Sequence, residues 1–266
     1  MEYSHKMPAR NQISNEILSM GVELECSTTP KRIEAARRFF KRYGLDQHLG
    51  EQRDGSVDVY SSWPNSIPNA EITFWGPKKI DIKHFFEKMG LGKETRTNRS
   101  CGTHMHFRFI DREKAIKIFS SQEAWTEFRN AYIEFANSKP PYKDFVIDGP
   151  KYPRRLTNHF CEFPAIRPRI RVNDPFDRYY AINILSFYDV QNTLEIRIMP
   201  GFNSVKEAME AVDFEIKVLS GIYKKYFNVP FVQLPSGAFS PASRNTPVRR
   251  LRERPREGTL SDIFGD

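Results

Sequence analysis

Three short stretches of the chain place chemically active residues in strict alternation with apolar ones. In GVELE, Glu23 and Glu25 alternate with Val22 and Leu24. In GTHMHFRF, His104, His106 and Arg108 alternate with Met105, Phe107 and Phe109. In LEIRIM, Glu195 and Arg197 alternate with Leu194, Ile196 and Ile198. Successive side chains of a β-strand point to opposite faces, so each polar set falls on one face of its strand. If the strands share a sheet, that face carries three glutamates, two histidines and two arginines. Carboxylates and imidazoles coordinate divalent cations, and arginine suits bidentate recognition of phosphate. Metal ions beside arginines are what a protein uses to handle a nucleoside triphosphate in phosphoryl transfer. The same pattern also fits a sheet with one solvated face, whose charges pair across strands.

The common nucleotide loops are missing from the sequence. Gly90-Leu91-Gly92-Lys93-Glu94 has the wrong spacing for a phosphate-binding loop, and Glu follows the Lys. There is no dinucleotide glycine fingerprint, no H-E-x-x-H and no G-x-S-x-G. A nucleotide held here needs another kind of site.

The elements that would position these residues can be read from periodicity and caps. Thr29-Pro30 starts a helix that Gly44 ends, with Ile33, Ala36, Phe40 and Tyr43 on its apolar face. A second helix covers about 81–89 and stops at Gly90, and a third starts at Asp111. Ser120-x-x-Glu123 and Ser204-x-x-Glu207 read as capping boxes, the second opening the longest helix, to about Phe227. Strands are predicted around 20–26, 56–60, 69–75, 102–109, 157–162, 180–188 and 193–199. The order predicts an α+β fold with a mostly antiparallel sheet.

Six motifs in order, G-V-E-L-E, D-G-S-V, a strand glutamate at Glu71, S-C-G-T-H-M-H, R-Y-Y-A-I-N and L-E-I-R, resemble those of the amidoligase family. Its members are carboxylate–amine ligases related to glutamine synthetase and to glutamate–cysteine ligase. The resemblance covers about residues 20–201. It implies ATP-dependent amide or peptide bond formation through an acyl phosphate. It also implies a curved antiparallel sheet, helices on its outer face, and an inner face holding ATP and two Mg²⁺ or Mn²⁺ ions. By the same resemblance, Glu23, Glu25, Glu71, His104 and Glu195 are metal ligands. His106, Arg178, Asn183 and Arg197 contact the nucleotide, with Arg197 at the transferred phosphoryl group and Arg178 also a candidate catalytic residue. Asp54 is a candidate for a substrate role, although Asp54-Gly55 also reads as a plain hairpin turn. The implied substrates are small-molecule or peptide carboxylates and amines.

Charge and composition set the outer limits. The 266 residues carry 41 Lys and Arg against 33 Asp and Glu, for a net charge of +8. The excess is local: it lies in 31–53, 151–178 and 244–256, above an acidic remainder. The sequence predicts a catalytic domain over 1–235 and a disordered Arg- and Pro-rich tail over 236–266, a candidate for binding an acidic partner. Arg154, Arg155, Arg167, Arg169 and Arg171 lie in a Pro-rich connection that reads equally as a mobile lid or a solvated loop. Cys26, Cys101 and Cys161 are too few and too far apart for a disulfide framework or a four-cysteine zinc site, which fits a reducing cytoplasmic setting. No run of about 18 apolar residues argues for a membrane span. Two other classes fit part of the pattern: a metal-dependent phosphodiester hydrolase or nuclease, and a basic nucleic-acid-binding protein. The second gives no reason for glutamates beside the histidines, since carboxylates repel phosphate unless a cation lies between them.

Overall fold

The structure is a computed structural model that describes residues 12–55, 57, 65–98, 100–139, 142–143, 148–149, 155, 158–168, 178–188, 191–233 and 239–241. The elements are β1 (Ile17–Thr28), α1 (Pro30–Lys41), β2 (Leu49–Arg53), β3 (Ile67–Gly76), α2 (Lys79–Met89), β4 (Gly102–Phe109), α3 (Arg112–Phe119), α4 (Gln122–Ser138), β5 (Tyr142–Lys143), β6 (Asp148–Gly149), β7 (Ile182–Asn183), β8 (Leu194–Pro200), α5 (Val205–Tyr226), β9 (Phe231–Gln233) and β10 (Phe239–Pro241). Six strands form one antiparallel open sheet in the order β2-β3-β1-β4-β8-β7. The α+β, antiparallel expectation holds.

One sheet face is apolar and carries the core. Val22, Leu24 and Cys26 of β1, Ala70, Ile72 and Phe74 of β3, Met105 and Phe107 of β4, and Leu194, Ile196 and Ile198 of β8 are all fully buried. α2 packs against β1 and β3, α3 packs against β4, and α5 crosses α2, α3 and α4 behind them. Phe40 of α1 stacks on Phe74 of β3 at 4.2 Å, and Phe74 on Phe85 of α2 at 5.3 Å. Burying three such rings supplies hydrophobic area and adds ring-pair geometry.

The helices begin and end where their caps require. Thr29 accepts from the Arg32 amide at 3.2 Å, with Pro30 at the first helical position. Gly90 closes α2 in the left-handed region at φ 68°. Asp111 caps α3. The cap of α4 is Ser121, one residue later than the sequence pattern indicated, accepting from the Ala124 amide at 3.2 Å. Ser120 is the C-terminal cap of α3, held in a helical backbone conformation, so it cannot take the extended shape of a helix start. Ser204 caps α5 as expected, and Glu207 accepts from the Asn203 amide at 3.4 Å.

Two strand expectations need correction, and a third lies almost wholly outside the described residues. The second strand of the sheet is 49–53; of the expected 56–60 only residue 57 lies among the described residues, and it is not in a strand. The segment 158–162 is a turn, with Glu162 in an isolated bridge to Tyr180 and Phe160 O accepting from Arg197 Nε of β8 at 3.4 Å. Asn158 bends it by accepting from the Phe160 amide at 2.9 Å. The strand expected over 180–188 shrinks to Ile182–Asn183, and a single tight helical turn, Leu185–Phe187, follows it. Phe239–Pro241, inside the segment expected as tail, pairs with Phe231–Gln233; residues 242–266 lie outside the described residues. Among the described residues, no helix is long and apolar enough to cross a membrane.

Candidate active site: two sets of potential metal ligands on one sheet face

The face opposite the helices collects the polar residues in register. Glu23 on β1 stands between Thr73 of β3 and His104 of β4. Glu25 faces Glu71, and Glu71 faces Gln52 of β2. His106 faces Gly21 on one side and Glu195 of β8 on the other, and Glu195 faces Asn183 of β7. Strand alternation and antiparallel pairing thus gather residues from six strands onto one surface.

Two sets of potential ligands form there. Glu23, His104 and Glu195 offer atoms within 4.8 Å of one another, and so do Glu25, Asp54 and Glu71. The two glutamates of β1, two residues apart, belong to different sets. Asp54, expected as a substrate or turn residue, stands with Glu25 and Glu71. It is brought there because its amide donates to Asn69 O, extending the β2–β3 ladder by one residue. All the residues expected to be metal ligands are therefore on the face, and Asp54 joins them.

The first set is tightly partnered. His104 Nδ1 lies 3.2 Å from Glu23 and 3.5 Å from Glu195, while its Nε2 lies 3.4 Å from Glu25. His106 Nδ1 is hydrogen-bonded with Thr193 Oγ1 at 3.0 Å. Its Nε2 is 3.0 Å from Glu23 Oε1, close enough for an ion pair but off the hydrogen-bonding axis, so this buried nitrogen has no hydrogen-bond partner. Glu195 accepts from Arg197 Nη1 at 2.5 Å, Asn183 Nδ2 at 2.5 Å and Ser186 Oγ at 3.0 Å. In the second set, Glu71 accepts from Gln52 Nε2, and Glu25 accepts from the Gly102 amide.

These contacts decide the charge states. Burial pushes the Glu23 carboxyl up, but the hydrogen bond with His104 and the charge of His104 and His106 overcome it and hold the group well below the usual carboxylate range. Glu195 behaves alike: burial raises it, and Arg197 and both histidines bring it below the usual value. Burial lowers His106, yet Glu23 and Glu195 raise it above an ordinary histidine. Glu71 moves up, first from burial and then from the charge of Glu23 beside it. Close carboxylates, one of them forced upward, are what an added cation would relieve.

The donors suit hard divalent ions. Three carboxylates make an all-oxygen set fit for Mg²⁺ or Mn²⁺, and a set with one imidazole favours Mn²⁺ somewhat more. The His106 Nε2 left without a hydrogen-bond partner among the described residues and the depressed Glu23 agree with that fit.

Arg178 stands apart from both sets. It is exposed, its guanidinium lies 5.0 Å from the Tyr179 ring, and the same ring lies 5.8 Å from the guanidinium of Arg197. It marks the rim of the face. Thr193, Ser186 and Gln52, which contact site residues directly, carry no motif that sequence reasoning could use. Arg155 is a plain correction. It is 6 % exposed and donates to the carbonyls of Arg197 and Ile198, so it is neither lid nor solvated loop. Arg167 is half-buried, with its amide bonded to Gln122; Arg154, Arg169 and Arg171 lie outside the described residues. No family model matches the chain, and no curated protein matches its sequence.

Proposed function

We propose that this protein is an ATP-dependent carboxylate–amine ligase of the amidoligase type, forming an amide or peptide bond through an acyl phosphate. The observation that supports this reading is the division of one sheet face into two adjacent ligand sets, with Arg197 bonded to a carboxylate of one of them. A lone metal site would serve many proteins. Two sets beside a half-buried arginine suit a polyanion that must be neutralised before a carboxylate can approach it.

On this reading a substrate carboxylate oxygen attacks the γ-phosphorus of ATP, and the β–γ bridging oxygen leaves with ADP. The amine then adds to the acyl-phosphate carbon, releasing inorganic phosphate and a proton. Bound Mg²⁺ or Mn²⁺ would supply charge neutralisation of the triphosphate, held by Glu23, His104 and Glu195 and by Glu25, Asp54 and Glu71. Arg197 would direct a planar guanidinium at the transferring phosphoryl group. Asn183 and Ser186 fix the Glu195 carboxylate so that it keeps one orientation. His106, anchored by Thr193, would face the phosphates, and Arg178 at the rim would meet the incoming carboxylate or amine partner. A curved sheet closing over the nucleotide belongs to the same reading.

The test is ATP turnover across a panel of carboxylate and amine pairs, with hydroxylamine present to trap an acyl phosphate as a hydroxamate. Hydroxamate formation that depends on one carboxylate supports the proposal. Metal-dependent cleavage of phosphodiesters without any need for ATP would replace it with the hydrolase reading.

A further inference from the structure

Arg155 is a cation taken out of water without a carboxylate bonded to it among the described residues. Burying a guanidinium in that way is costly unless its donors are satisfied and negative charge lies near. Its Nη2 donates to Arg197 O at 3.1 Å and its Nε to Ile198 O at 3.3 Å. Both acceptors belong to β8, and one is the main chain of Arg197 itself. Ile198 O also accepts from Tyr132 Oη of α4 at 3.3 Å, so the strand is held from two directions at that point.

The same guanidinium lies over Gly102, beside one member of each ligand set. A Cβ placed on Gly102 would lie 2.8 Å from Arg155 Nη2, 3.2 Å from Glu25 Oε2 and 3.2 Å from His104 Nε2. Three polar side chains thus converge over a residue that has none. Beside them β4 and β8 slip in register between Thr103 and Met105, an irregularity that locally disrupts the ladder and bends the strand.

We infer that Arg155 is a positioning residue: it fixes β8 where Glu195 and Arg197 project onto the metal-ligating face, and sets the spacing of that strand from Glu25 and His104. The inference rests on the two-set metal reading above. It extends that reading to a side chain that touches neither nucleotide nor reacting carboxylate. Removing a residue that orients ligands from behind costs metal affinity or activity by about 10–100-fold in comparable sites.

The experiment compares Arg155→Met and Arg155→Lys with Ile118→Val, a truncation in the fully buried core of α3 that is chosen to lower stability without touching the face. Mn²⁺ binding is followed by electron paramagnetic resonance of the free ion, well below each melting temperature. Arg155→Met is expected to weaken Mn²⁺ binding tenfold or more. Arg155→Lys should recover part of the loss, because an ammonium can still reach one of the two carbonyls. Ile118→Val should bind as the parent does. Parent-like Mn²⁺ binding in Arg155→Met, with only its melting temperature lowered, would overturn the positioning role and leave the metal reading standing. Absence of Mn²⁺ binding in the parent protein would overturn both.

Discussion

Replacing Arg197 separates its electrostatic work from its catalytic work. Glu195 is 4 % exposed, and Arg197 is its only cationic hydrogen-bond donor among the described residues. Arg197→Met leaves that carboxylate buried without a bonded cation. Losing one partner of a buried pair costs about 3–5 kcal/mol. Asn183 and Ser186 continue to donate to Glu195 Oε2, which places the loss at the low end, about 3 kcal/mol in the absence of divalent ions. For a chain of this size, 1 kcal/mol moves the melting temperature by about 2–4 °C, so the expected drop in EDTA is about 6–12 °C. Saturating Mn²⁺ should narrow the gap, since an ion at Glu23, His104 and Glu195 neutralises the same oxygens. Arg197→Lys keeps the charge and should melt near the parent. It loses the planar fork, so turnover should fall by roughly 10²-fold, the scale for one preorganised donor, with far less change in ATP affinity. Differential scanning calorimetry with and without Mn²⁺, together with steady-state kinetics, reads both effects. A melting temperature for Arg197→Met within about 2 °C of the parent in EDTA would refute the buried-pair argument. Near-normal turnover in Arg197→Lys would refute the phosphoryl assignment.

Glu23→Gln should abolish most Mn²⁺ binding measured by calorimetry, because Glu23 faces both His104 and His106; unchanged affinity would remove Glu23 from the ligands. ATP should bind measurably only with Mg²⁺ or Mn²⁺ present, and equal affinity in EDTA would count against a metal-bridged nucleotide. Glu215 on α5 is fully buried with no hydrogen-bond partner at either oxygen, and burial pushes its carboxyl well above the usual value. A carboxyl raised on folding is protonated in the native state while the unfolded chain ionises from about pH 4.3, so its penalty grows with rising pH by up to about 1.4 kcal/mol per unit until the native group ionises. Glu215→Met should therefore melt higher than the parent by a margin that widens from about pH 5 to pH 8; a constant margin in circular-dichroism melts would show that Glu215 does not titrate differently on folding.

The site was largely legible because its residues sit on strands that are buried on one side. β1, β4 and β8 each need an apolar residue at every second position, and that requirement exposes the intervening Glu23, His104 and Glu195 as a pattern. β2 offered no such signal. At the sheet edge only Leu49 is buried, while Glu51, Gln52 and Arg53 meet solvent, so the strand exists through its pairing with β3 rather than through its own periodicity. The position of Asp54 beside Glu25 and Glu71 was hidden for the same reason. Its local sequence describes a turn, and its place beside Glu71 depends on a cross-strand register that no short-range pattern encodes. Arg155 sits in a run of arginines that reads as a solvated charge cluster, and only the tertiary fold takes this one member inside.

The three cysteines also bear on how such experiments can be done. Cys26, Cys101 and Cys161 are free thiols, all buried, and burial raises each of them, Cys101 up to about 12. The thiolate, the form that attacks alkylating reagents, is disfavoured at each of these buried positions. A fluorophore or spin label should therefore pass over the native thiols in the folded protein and react at one introduced on the surface, for example by Ile166→Cys at a position 78 % exposed. The wild-type background can carry a single optical reporter without first being stripped of its own sulfur.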